Sequence, residues 1–270
     1  MFATDFEYDG RYLSDFGFTI CNFNGSSDVE RVSAGSKISF NTVSTHYGKR
    51  YNLAGTEYGD CITATFDICK DTCQDDDFII TNNEYRDLMR WLNRREFLKF
   101  RVLYDEDDHM EPCYYDGSFN VEKIMSSQGL VGLELTLETN KPFGYGQEKS
   151  FSWTVTGGSS VRLFDMSDEI GYIYPSVVIT VMQAGNLQIT NDLEPCTMVI
   201  KNCSVGEVIT IDGDTHIITS SLNSHKICDD FNFDYLRIGN TVNNRNNNIT
   251  CSLNCMLEIR FNPVIKDSPA

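Results

Sequence analysis

No run of eighteen apolar residues occurs in the chain, which excludes a membrane-spanning helix. The N-terminus MFATDFEYDG lacks a basic region followed by an apolar one, so no secretory signal is expected. Positive charge is scarce: 22 Lys and Arg stand against 39 Asp and Glu, a formal net charge of −17. A surface of that sign repels polyanions and argues against nucleic-acid binding over a broad face. Neither a glycine-rich phosphate loop nor a G-x-S-x-G elbow is present. The four histidines, His46, His109, His216 and His225, are scattered, and each reads as a surface or satisfied residue rather than a general base. With 39 acids, carboxylate pairs arise by number alone and single out no glycosidase dyad. The sequence therefore points away from an enzyme. It assigns no catalytic, cofactor-binding or metal residues.

Ten cysteines are many. Without a signal peptide, the default is reduced thiols, several of them small core residues. One spacing, Cys69-x3-Cys73 with His109-x3-Cys113, offers four soft ligands for zinc, but it matches no common zinc motif and unpaired thiols are the simpler reading. The acidic run Asp105 to Asp108 lacks the glycine and closing glutamate of a calcium loop and reads as a solvated turn. Sequons begin at Asn24, Asn202 and Asn248, a number chance explains. Trp91 and Trp153 read as core residues.

A length of 270 residues suggests two domains. The first half is organised around Thr81 to Tyr104, TNNEYRDLMRWLNRREFLKFRVLY. Thr81 and Glu84 form a capping box. Tyr85, Leu88, Met89 and Leu92 then make one apolar stripe, predicting a helix over about 82–93 with Asn93 as its stop. From Leu98 the period changes to two, with Leu98, Phe100, Val102 and Tyr104 on one side. Further strands are expected over 19–23, 37–43 and 62–68, with a hairpin joining 118–125 to 130–138. Residues 44–60, STHYGKRYNLAGTEYGD, show little periodicity and read as an irregular arm or a plain surface loop. A lone helix needs a sheet to cover, so residues 1–146 are expected to be a β-barrel or sheet with one helix laid on it.

Pro142, Gly144 and Gly146 end a strand and mark the boundary. Beyond it, nine alternating segments lie about ten residues apart, as in a β-sandwich over 150–270. They begin at Ser152, Val177, Leu187, Met198, Val208, Thr215, Tyr235, Ile249 and Leu257. Asp212-Gly213 between two alternating runs predicts a tight hairpin. The fold class is mainly β.

The order and wording of these segments resemble the siphophage distal tail protein family, Dit. LSDFGFTICNF, NEYRDLMRWLNRREFLKFRVLYDED and LELTLETNKPFGYG are similar to its first half. GYIYPSVVITV, LQITN, GEVITIDGDTHIITS and DDFNFDYLRIGNTVN follow the family's order in the second. The cysteine load and the acidic run Asp75 to Asp77 are departures from that pattern. The resemblance implies a virion protein of the tail tip or baseplate hub, made in the bacterial host cytoplasm. It implies a homo-hexameric ring beneath the last ring of tail-tube protein, formed by the N-terminal domain. The C-terminal domain would be a galectin-like sandwich projecting outward. The implied partners are the tail-associated lysin or tail fibre below and, in some relatives, receptor-binding proteins at the side. The alternative is a carbohydrate-binding module acting in host adhesion. Its candidate aromatics are Tyr172, Tyr174 and Tyr235, although they form no clear ladder in sequence. DNA must pass through such a hub, and the negative charge suggests a bore lined by acidic or neutral residues.

Overall fold

The computed structural model describes residues 3–23, 35, 37–44, 51–71, 77–104 and 111–269. It is mainly β and divides into two compact units, Met1–Gly146 with Ile265–Ala270, and Gln147–Val264. The sequence reading ran the second domain to residue 270, whereas the last six residues group with the first unit.

In the first unit, β1 (Ala3–Tyr8) and β2 (Arg11–Tyr12) lead through a 3-10 turn at Leu13–Phe16 to β3 (Phe18–Cys21). Next come β4 (Ile38–Ser44), β5 (Tyr51–Tyr58), β6 (Thr63–Lys70) and α1 (Asn82–Leu92). β7 (Leu98–Tyr104), β8 (Tyr115–Met125), β9 (Leu130–Thr139) and β10 (Gly144–Tyr145) follow. Seven strands form one antiparallel sheet in the order β2-β1-β7-β8-β9-β6-β3. The Thr19 hydroxyl in β3 donates to the Thr4 carbonyl in β1, so the sheet curls round until its two ends approach.

The helix forms where the capping box predicts. Thr81 accepts from the Glu84 N–H at 3.4 Å, and Glu84 accepts from the Thr81 N–H at 2.6 Å. Its apolar face then drops Leu88, Trp91 and Leu92 onto the sheet. Trp91 stacks on Phe6 at 5.6 Å and donates its indole N–H to the Tyr8 carbonyl at 2.9 Å. Period-two alternation places Phe100, Phe119, Leu133, Leu135 and Leu137 in the same core.

The second unit contains β11 (Lys149–Val155), β12 (Ser160–Phe164), β13 (Gly171–Ile173), β14 (Ser176–Val181), β15 (Gly185–Asn191) and β16 (Glu194–Cys203). After them come β17 (Val208–Ile211), β18 (Ile218–Ser220), the single turn α2 (Ile227–Asp230), β19 (Ile238–Asn240), β20 (Asn246–Cys251) and β21 (Cys255–Phe261). A five-stranded sheet, β11-β21-β14-β17-β18, and a four-stranded sheet, β12-β20-β15-β16, share one core that includes Ile179, Leu257 and Ile189. This is a β-sandwich. β12 and β13 escaped the sequence reading. In β12 the apolar Leu163 and Phe164 are adjacent, one buried and one exposed, which hides the alternation.

The tight hairpin at Asp212-Gly213 is corrected by the structure. The last paired residues are Ile211 and Ile218, so six residues, 212–217, make the connection. The Asp212 carboxylate organises it, accepting from the N–H groups of Asp214 (3.0 Å) and Thr215 (2.8 Å). The left-handed residue is His216, at φ 55°. Gly213 serves close approach instead: a Cβ there would run into the Tyr174 carbonyl and Pro175. Gly213→Ala is expected to cost roughly 1–3 kcal/mol through overpacking. The urea midpoint should fall with the slope unchanged. An unaltered midpoint would show that the contact gives way freely.

Candidate assembly surface

β4 and β5 pair only with each other, forming a two-stranded sheet separate from the seven-stranded one. This corrects the reading of 44–60 as irregular: Tyr51–Tyr58 is a strand, and residues 45–50 lie outside the described residues. The physical reason is burial. Among the described residues of β5 only Gly55 and Tyr58 are partly buried, so little burial imprints a period on that strand. The register shifts between Asn41 and Thr42, a bulge of the kind that twists an edge.

Four large apolar side chains stand on this hairpin with more than half their surface exposed: Ile38, Phe40, Val43 and Leu53, with Phe40 at 64 %. An isolated two-stranded hairpin is marginal in water by itself. Its root is tied down. Gly59 N–H donates to the Lys37 carbonyl at 2.7 Å, and Tyr58 packs edge-on against Phe143 at 5.9 Å. A cleft of about 600 Å³ opens beside the root, lined in part by Lys37, Asp60, Cys61, Ile62 and Glu138. Large apolar groups exposed together on one hairpin are the kind of patch that marks protein–protein contact sites.

On the outer face of the seven-stranded sheet, register sets Glu122 opposite Glu134, and Glu134 opposite Asp67. Like charges directly opposed across strands destabilise a sheet. Elsewhere in this unit the buried Lys70 ammonium meets Glu84 at 2.9 Å. Burial opposes the Glu84 charge, but the Thr81 N–H and Lys70 outweigh it and hold the carboxyl below its usual range.

In the second unit the structure gathers residues that the sequence leaves far apart. Tyr172 and Tyr174 meet edge-on at 5.5 Å. His216 packs against Tyr174 at 4.4 Å and against Tyr235 at 4.6 Å. The Arg237 guanidinium lies over Tyr172 at 4.5 Å, with Glu194 at 3.8 Å. His225 sits between two acids: its Nδ1 is 2.5 Å from Glu207 Oε1 and its Nε2 is 3.2 Å from Asp230 Oδ2, the latter out of hydrogen-bond alignment. Glu207 is fully buried and also accepts from the Ser204 N–H and the Ser220 hydroxyl. Burial raises its pKa, and those three donors outweigh burial and lower it.

The remaining sequence candidates fall as follows. His46, His109, Cys73, Asn24, Asp75, Asp76 and Asp105 to Asp108 lie outside the described residues, two members of the zinc set, Cys73 and His109, among them. Among the described cysteines Cys203, Cys251 and Cys255 are buried in the sandwich core as thiols. Asn202 and Asn248 of two sequons donate their side-chain amides to Asp230 and Asp192. Trp91 is buried and Trp153 packs half-buried against its core. Sequence reasoning missed the exposed apolar hairpin and the Glu207–His225 centre. The apolar letters of Ile38, Phe40, Val43 and Leu53 were the available signal for the first. Nothing in the spacing of Glu207 and His225 announces the second.

The chain is mainly β, folds as two units and carries four of its exposed apolar side chains on one hairpin. The chain belongs to the phage tail protein family: models described as the phage tail protein N-terminal domain and the phage tail C-terminal domain match residues 1–141 and 143–261. Its fold is that of a crystal structure of the phage SPP1 Dit (gp 19.1) protein, described as a paradigm of the hub adsorption apparatus in phages infecting Gram-positive hosts. The TM-score is 0.67 at 12 % identity, over 97 % of this chain and 99 % of that one. A chain of the phage P2 baseplate in its activated conformation with Ca aligns at TM-score 0.49 and 10 % identity, over 96 % and 98 %. No curated protein matches the sequence. Both matching family models describe domains of phage tail proteins.

Proposed function

We propose that the protein is the distal tail protein of a siphophage, forming a hexameric ring that joins the tail tube to the tail-associated lysin or fibre and to adhesion proteins. The observation that carries this reading is the hairpin β4–β5, anchored at its root and apolar where it projects. A ring needs a heterologous contact whose rotation closes, and a projecting arm laid on the neighbouring subunit supplies one. Burying four such side chains offsets the marginal stability of a lone hairpin. The acidic row Glu122, Glu134 and Asp67 fits a bore wall that DNA passes without adhering, and its internal repulsion has no evident use in a monomer. Synthesis in the host cytoplasm suits the free thiols.

The triple variant Phe40→Ser, Val43→Ser, Leu53→Ser tests this. Wild type is expected at about six times the 30.7-kDa chain mass by light scattering, with a six-fold ring in negative stain. The variant should run as a monomer with its unfolding midpoint unchanged, since all three side chains are exposed in the single chain. A wild-type monomer, or a variant that still closes into rings, overturns the reading.

A further inference from the structure

We propose that Cys251 and Cys255 form a modification site, closing to a disulfide between the two sheets of the sandwich when the chain meets a low-molecular-weight disulfide oxidant such as oxidised glutathione. Cys251 ends β20 in the four-stranded sheet, and Cys255 begins β21 in the five-stranded one. Both belong to the shared core, and neither has any exposed surface. Only Ser252, Leu253 and Asn254 lie between them. Two consecutive residues pin that connection at both ends. The Gly158 N–H donates to the Cys251 carbonyl at 2.8 Å, and the Gly157 N–H donates to Asn254 Oδ1 at 2.7 Å. Gly157 sits so close that a Cβ there would meet the Ser252 carbonyl. The turn is drawn tight, and the Cys251 S–H donates to the Cys255 sulfur. That contact pushes the Cys251 thiol up and holds Cys255 below its ordinary value, in favour of the thiolate. A buried bridge between sheets is how immunoglobulin-type sandwiches are stapled.

Cys203 and the pair Cys21 and Cys69 differ. Cys203 is buried, but its S–H donates to the Ile200 carbonyl at 3.4 Å. Cys21 and Cys69 do interact, yet register sets Cys21 opposite Asp67 and Cys69 opposite Thr19. Such diagonal neighbours stand about 7–8 Å apart, and Cα atoms beyond about 7 Å are not bridged without moving the backbone. At the proposed site the Cys255 thiolate attacks one sulfur of oxidised glutathione and releases one reduced glutathione. Cys251 then attacks the mixed disulfide at the Cys255 sulfur and releases the second. The two thiol protons end on the departing glutathiones; the two protein sulfurs lose two electrons and the oxidant gains them. Both thiols are sealed in the core, so the oxidant reaches them only when that end of the sandwich opens locally. Closure is therefore slow beside mixed-disulfide formation at the exposed Cys61 and Cys228.

The test incubates the full chain with oxidised glutathione, in urea below the unfolding transition so that local opening is frequent. Remaining thiols are then alkylated and the chain is digested with trypsin. Both cysteines fall on one tryptic peptide, Asn246 to Arg260. That peptide is expected to lose two hydrogens and to take no alkylation at either sulfur, and dithiothreitol should reverse both changes. The folded chain should hold the bridge against a larger excess of reduced glutathione than the chain unfolded in concentrated urea, because folding sets the two sulfurs together. Cys251→Ala and Cys255→Ala should each abolish the mass loss, and Cys203→Ala should leave it in place. Four results overturn the proposal: alkylation of both cysteines after prolonged oxidation, glutathione retained on either as the end product, a bridge at Cys21 and Cys69 ahead of this one, or a bridge no firmer in the folded chain than in the unfolded. No neighbouring copy takes part, so these readouts are independent of whether the chain closes into rings.

Discussion

Glu207→Gln is expected to lower the unfolding temperature of the sandwich by roughly 12–20 °C. The carboxylate is fully buried and serves three groups at once: His225 Nδ1, the Ser220 hydroxyl and the Ser204 N–H. Losing a buried charged acceptor leaves its donors unsatisfied at about 1–3 kcal/mol each, roughly 3–5 kcal/mol for the site. For a unit of this size each kcal/mol moves the midpoint by about 4 °C. The amide keeps the shape but loses the charge and one acceptor. The pH dependence has a definite sign. The folded pKa of Glu207 is depressed below its ordinary 4.5, so its contribution is present above that value and is lost as pH falls through the folded value. The acid limb of the wild-type stability curve should therefore be steeper than that of Glu207→Gln. Calorimetry between pH 7 and pH 3 checks both, and parallel curves would show that Glu207 is not the titrating group.

The second large effect is expected in the first unit, at Glu84. This side chain closes the capping box and also faces Lys70, whose side chain is only 5 % exposed. Glu84→Ala removes a cap worth about 1 kcal/mol and takes a charged hydrogen bond from the buried ammonium, a further loss of about 1.5 kcal/mol. Adding Lys70→Met should recover most of the second part, since an apolar side chain of similar length suits the site. Double-mutant denaturation with urea measures the recovery. If the double variant is less stable than Glu84→Ala alone, the ammonium is held by its other surroundings and the carboxylate matters little. The carboxyl of Glu84 is also depressed, so the wild-type advantage should fade as pH drops below the usual carboxylate range.

How much could be read without coordinates depended on whether a residue's partner was near in sequence or its burial periodic. Thr81 and Glu84 are three residues apart, and the helix began where they set it. Leu133, Leu135 and Leu137 alternate because one face of β9 meets the core, so the strand was visible in the letters. Tyr51–Tyr58 is as much a strand as β9, yet among its described residues only Gly55 and Tyr58 are partly buried, so its letters carry little period. Asp212-Gly213 misled for a related reason. The pair has the composition of a tight turn, but the glycine is demanded by Tyr174 and Pro175, which are distant in sequence.

From the sequence by itself follow the mainly β class, the single long helix with its start, the acidic surface and the ordered segments of a phage tail protein. All of these rest on local spacing or on summed composition, which one chain read in order displays. Only the tertiary structure decided that the supposed arm is an exposed apolar hairpin and that Glu207 and His225 share a buried centre. It also decided that Tyr172, Tyr174, His216, Tyr235 and Arg237 form one cluster. Those facts depend on which strands become neighbours across the sheet and at its ends, and pairing of that kind leaves no periodic mark on the residues it brings together.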